Sequence, residues 1–329
     1  MTMVISRSAK LLVTGAVGAL LLAGCASGPG QAGSAAIVNG SAISLDTVQA
    51  ELNNQLAHQP SAGAGQQANP ADEARLIVTY AVLHQIDNAA VAQYHLNVSP
   101  QAVNEYTQEL GGIDHLMQAT GYSNNELQMV LRDKVVQMAY ATRYIAQFQT
   151  TFDSVGAPDQ KSATALAQKL AADPANARSI MTSAAAAGNS QPQFGTKLTG
   201  GQILAQQNQT SQQAQQSGGA PSQSILPLFA AKANSVLAFP IGQGQWVVLV
   251  VHGADTNGAA SDQDKQAITE ANPDDLDSAG SYLLSSLAQQ LSIKVSPRYG
   301  VWDPIGMAVV PSAGQGGVEF PDKTTPAAS

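Results

Sequence analysis

With a single cysteine, Cys25, the chain cannot form an internal disulfide, a paired-cysteine redox centre or a multi-thiolate metal site. Aromatic residues make up only 5% of it, too few for a surface that stacks bases or sugars. Basic residues are the minority charge, 15 Lys and Arg against 23 Asp and Glu. Nucleic acid is bound through basic patches, so that class is excluded. Neither a Walker-type glycine loop nor a Gly-x-Ser-x-Gly elbow is present, which argues against nucleotide binding and serine hydrolysis. The five histidines, His58, His84, His95, His115 and His252, include no i, i+4 pair of the kind that holds zinc on a helix. Asp274, Asp275 and Asp277 lack calcium-loop spacing and suit a helix N-terminus instead. No catalytic residue, cofactor or metal is therefore expected. The apolar run over 11–22 is about 12 residues, short of the ~20 that cross a bilayer.

What is present begins with that run. Arg7 and Lys10 precede it and Leu22-Ala23-Gly24-Cys25 follows it. A basic start, a short apolar core and small residues before a cut site describe a secretory signal peptide over 1–24. Leu22-Ala23-Gly24-Cys25 also resembles the bacterial lipobox. That resemblance implies cleavage before Cys25, lipidation of its sulfur, and a protein anchored by lipid on the extracytoplasmic face of a membrane. Residues 25–35, rich in Gly, Ser and Ala, are expected to be a flexible tether.

The next segments read as helices with a few strands, a mostly α protein with small β. Asn39-Gly40 between apolar pairs predicts a tight hairpin. A helix follows with Leu45, Val48, Leu52 and Leu56 inward. A second runs over 71–96, with Leu76, Tyr80, Leu83, Ala90 and Tyr94 as its stripe. Ser99-Pro100 starts a third, which Gly111-Gly112 ends. Ser123 and Glu126 form a capping-box pattern opening the longest helix, to about 148, with Leu127, Leu131, Val135, Met138, Thr142 and Ile145 inward. A short strand is expected over 148–155, then a helix over 162–187 broken at Asp173-Pro174. Eight of the fifteen residues from Gln202 to Gln216 are Gln, which predicts a loose polar loop. Residues 245–251 are a strand, 273–290 a helix and 291–295 a strand. The Gly- and Pro-rich tail, 311–329, is expected to be disordered.

Ala36-Ile37-Val38-Asn39-Gly40-Ser41-Ala42-Ile43-Ser44 and the following helices resemble the N-terminal domain of SurA/PrsA-type extracytoplasmic chaperones. The run 293–303, from Ile293-Lys294-Val295 to Trp302-Asp303, resembles the closing strand of that family. The resemblance implies a helical core over 36–148 and 272–303 whose last strand returns to the first. It also implies an inserted α/β prolyl isomerase (parvulin-like) domain over 149–255, to which 163–173 and 240–248 are similar. Family isomerases carry a histidine on the first strand, a central Cys or Asp, and a second histidine on the last strand. Here 148–155 holds no histidine, Trp246 stands where the second is expected, and His252 is expected on the surface beyond the strand.

The insert is thus expected to be degenerate. The function implied is an ATP-independent holdase for unfolded or newly secreted polypeptides, served by adaptable Met117, Met129 or Met138. Its other partner is the membrane, through the lipid, with no nucleic acid or nucleotide. An active parvulin-type isomerase and a ligand-binding or envelope-scaffolding lipoprotein are the alternatives.

Overall fold

The computed structural model describes residues 33–58, 69–188, 190–217, 224–242, 244–312 and 316–321. Cys25, the signal sequence and most of the tether lie outside the described residues. The fold is mostly helical with small sheets, as expected.

Strands β1 (Ser34–Val38) and β2 (Ser41–Ser44) form the hairpin, with Asn39 and Gly40 both at positive φ in the turn. Helices α1 (Leu45–His58), α2 (Pro70–Tyr94), α3 (Pro100–Glu109), α4 (Ile113–Thr120) and α5 (Asn124–Tyr144) follow. Ser99 caps α3 and Ser123 caps α5 through their hydroxyls, satisfying backbone N–H groups that a helix start leaves without a partner. Next come β3 (Gln149–Ala157), α6 (Gln160–Ala172), α7 (Ala177–Gly188), β4 (Gln193–Thr199) and α8 (Gly200–Ser217). A 3-10 turn (Leu226–Ala230) leads into β5 (Ser235–Gly242) and β6 (Gln245–Asp255). The chain ends with α9 (Asp262–Thr269), α10 (Pro273–Leu283), α11 (Ser285–Gln290), β7 (Ile293–Val295), β8 (Val301–Asp303), β9 (Ala308–Val310) and β10 (Val318–Pro321).

The first and last parts of the fold meet. β7 lies antiparallel to β1, with Ala36 opposite Val295, Ile37 opposite Lys294 and Val38 opposite Ile293. The second sheet is antiparallel throughout, in the order β10-β5-β6-β3-β4. One face carries Val155, Ala157, Trp246, Val248 and Val250 against α6 and α7. The other face contributes Phe152, Phe239 and Leu249 to a large core that also contains Val78, Ile86 and Tyr140 of the helical part. The helices and the inserted sheet therefore share one core.

Three expectations are corrected. Residues 202–216 are not a loose loop but most of α8. Gln is a good helix former, Ile203 and Leu204 are fully buried, and Gly200 and Gly201 allow close packing on Ile145 and Asp264. The tail is not wholly disordered, since Val318–Pro321 pairs with β5 as an edge strand. The tether is shorter than 25–35, because Ser34 begins β1 and Ala35 is buried. The inward faces also rotate. On α1, Gln55 and Glu51 are buried while Leu56 is exposed, and on α2 Leu76 is exposed beside buried Ile77 and Val78.

Candidate functional site

Two open apolar cavities stand out. The sheet groove, about 370 Å³, opens on the face of the second sheet opposite α6 and α7. Strand alternation puts Phe152 and Ser154 of β3, Phe239 and Ile241 of β5, and Val247 and Leu249 of β6 on its floor. Thr196 and Leu198 of β4, Gln206 of α8, and Ile225 and Leu228 at the 3-10 turn make its walls. The polar lining consists of Ser154, Gln193, Thr196 and Gln206, hydroxyls and amides that can bond a peptide backbone but do not exchange a proton near neutral pH.

The helical groove, about 480 Å³, lies between α3, α4 and the first half of α5. Val98, Pro100, Val103, Ile113 and Leu131 line it, with Asn104, Gln108, Gln128 and Arg132 at the polar positions. The Arg132 guanidinium is engaged by Asp133 at 2.9 Å. Beneath it, Tyr106, Leu127 and Leu131 form a small core of their own. Met117 and Met138 pack against that core rather than lining the groove, and Met129 is half-buried.

The residues read from the sequence as possible isomerase positions are elsewhere. Trp246 pairs with Ala157 and is buried among the residues facing α6 and α7. His252 is inside β6, not beyond it; it is the extra residue of a bulge opposite Thr151 and Phe152. Its Nε2 lies 3.1 Å from an Asp153 carboxylate oxygen, while the other Asp153 oxygen accepts from Gly195 N at 2.6 Å. Neither Trp246 nor His252 lines the sheet groove. His84 and His95 do not act together: His84 binds Asp133 at 2.8 Å and Asn88 at 3.0 Å, whereas His95 ends α2 in the left-handed conformation. Among the described residues no group of three His, Cys, Asp or Glu is placed to hold a metal ion, and no helix is long and apolar enough to cross a membrane.

Sequence reasoning missed a buried polar cluster between α2, α5 and α10. The Lys134 ammonium pairs with Asp277 and lies 3.6 Å from Asp274. Burial opposes the charge on Lys134, but the Asp277 carboxylate outweighs it and raises the ammonium's pKa. Asp87 is fully buried; Gln137 donates to one of its oxygens at 2.9 Å and the other has no partner. Burial, then the Asp133 charge, push the Asp87 carboxyl well above the carboxylate range. Acidic residues on otherwise apolar helix faces were the signal for this cluster, since buried carboxylates need partners.

A scan against protein-family models finds no match, and no curated protein matches the chain.

Proposed function

We propose that this chain is a lipid-anchored, extracytoplasmic holdase of the SurA/PrsA type, which binds unfolded exported polypeptides without ATP and without catalysis. The observation that carries the reading is the sheet groove, apolar on its floor except at Ser154 and, among the described residues, lined at its polar positions by hydroxyls and amides. Such a site holds an apolar side chain of an extended polypeptide and bonds its backbone, and its described lining residues include no general acid or base. The helical groove adds a second contact, and two weak sites on one molecule gain affinity for one long client. Ordering the client costs entropy, so each contact stays weak and release needs no energy source. The pairing of β1 with β7 supports the family reading, because the resemblance implies that return. Cys25 is the proposed point of attachment to the membrane.

The test is light scattering of a chemically denatured client diluted into the full-length protein without ATP. Protection is expected at a few-fold excess and is expected to drop when charge enters both grooves, as in Val103→Glu with Ile241→Asp. No protection by the unaltered protein overturns the reading. Acceleration of cis–trans exchange in a prolyl peptide would move the function to an isomerase. Cys25→Ala is expected to abolish incorporation of labelled fatty acid; retained label would remove the anchor.

A further inference from the structure

The α4–α5 turn is held to α1 by contacts far apart in sequence. Asn54 Nδ2 donates to the Gly121 carbonyl at 2.9 Å, and Ser123 N donates to Glu51 Oε1 at 2.9 Å. Gly121 sits at φ +74°, and a β-carbon there would meet the Gln55 carbonyl oxygen at 3.3 Å, so the two segments touch backbone to backbone. The sequence pattern assigns the Ser123 N–H to Glu126, the reciprocal half of a capping box. Glu51 has taken that place.

Glu126 is left with its own N–H bonded to the Ser123 hydroxyl at 3.2 Å and with a buried Oε1 that has no partner. The Glu51 carboxyl thus holds the Ser123 N–H, while the Glu126 carboxyl stays buried within reach of the Glu51 charge. The other titratable groups acting here are Glu73, Tyr80 and His84 of α2, Tyr122 of the turn and Asp133 of α5, with His58 at the end of α1. His84 is engaged by Asp133 and opposes the rise at Glu126 without outweighing burial and the Glu51 charge. Burial first, and then the charge of Glu51, push the Glu126 carboxyl up to about 7.

We propose that Glu51 and Glu126 form a proton-operated latch between α1 and the α4–α5 turn, closed while the pair holds a proton and weakened once both carboxyls are ionised. The turn is the end of α4, and α4 supplies Ile113 to the helical groove. Loosening the turn therefore frees one wall of that groove, which makes client grip pH-dependent. This last step alone rests on the holdase reading.

The experiment is hydrogen–deuterium exchange of the full-length protein, followed in peptides covering 121–127 and corrected for the intrinsic pH dependence of exchange. A group near 7 when closed and near its ordinary value when open implies about a tenfold loss of protection from pH 6 to pH 8. Glu126→Gln, which cannot ionise, is expected to give a flat profile. Glu51→Gln removes the neighbouring charge that helps to keep the proton on Glu126 and is expected to shift the loss to lower pH; an unchanged midpoint, or a shift to higher pH, contradicts the coupling. A flat wild-type profile, or an unchanged drop in Glu126→Gln, overturns the latch. Exchange is read without a client, so failure of the holdase reading would leave this result intact.

Discussion

Gly280 of α10 lies so close to α5 that a β-carbon on it would stand 2.1 Å from the Gln137 carbonyl oxygen. The two helices cross backbone to backbone at this point. The same crossing brings Asp277 to Lys134 and carries Ala279 and Leu283 into the core. Gly280→Ala forces the helices apart. It is expected to cost about 3 kcal/mol, the upper end for overpacking a rigid contact, measured by urea unfolding. A loss below ~0.5 kcal/mol, the scale of an ordinary surface substitution, would contradict the close crossing.

The pair beneath that crossing makes a second prediction. Asp277 is buried, so Lys134→Met leaves a carboxylate without its cation. The expected loss is about 3–5 kcal/mol, the cost of an uncompensated buried charge. Lys134→Met with Asp277→Leu is expected to recover much of it, because both desolvated charges are then gone. A double-mutant cycle by chemical denaturation checks this; additive losses would show that the pair is not coupled.

Asp303 closes the C-terminal part of the fold. Its carboxylate accepts from Ile305 N at 2.9 Å and from Gly317 N at 2.7 Å, and β-carbons at Gly306 or Gly316 would collide with it. The bond to Gly317 sets up β10 one residue later. Asp303→Ala is expected to release β10 while leaving the rest folded. Limited proteolysis should then cut within 316–321 at least several times faster, with far-ultraviolet circular dichroism little changed. Equal cutting rates would mean that pairing with β5 alone holds the strand.

Asp87 sets a pH dependence of stability. Its folded pKa is raised, so the folded state binds a proton that the unfolded chain has released above the ordinary carboxylate range. Its contribution is full below that range and is lost as pH rises through the folded value. Asp87→Asn keeps the shape and removes the titration. The variant is expected to match the parent near pH 4 and to exceed it in Tm at pH 8. A parent Tm that does not fall relative to the variant over that interval would show that Asp87 is ionised in the fold.

Much of the architecture is legible without coordinates because it is local. Asn39-Gly40 makes a tight turn wherever it stands between strands, Ser99 and Ser123 cap the helices that follow them, and Pro174 breaks the run between α6 and α7. These follow from backbone geometry and from hydrogen bonds within a few residues. The run of β-branched residues in β6 marks a buried strand on the same grounds.

The partners that the fold supplies decided the rest. Composition suggests that the Gln-rich stretch stays loose, yet Gln207 and Ser211 are buried because Ile225 N and Asp275 bond them. Ser123 offers an N–H to Glu126 by sequence spacing, yet Glu51, 72 residues away, takes it. The sheet groove exists only where β3 to β6, α8 and the 3-10 turn come together. A sequence states which groups need burial or a hydrogen bond; long-range packing chooses the partner, because the free energy of each bond depends on what water the fold removes from it.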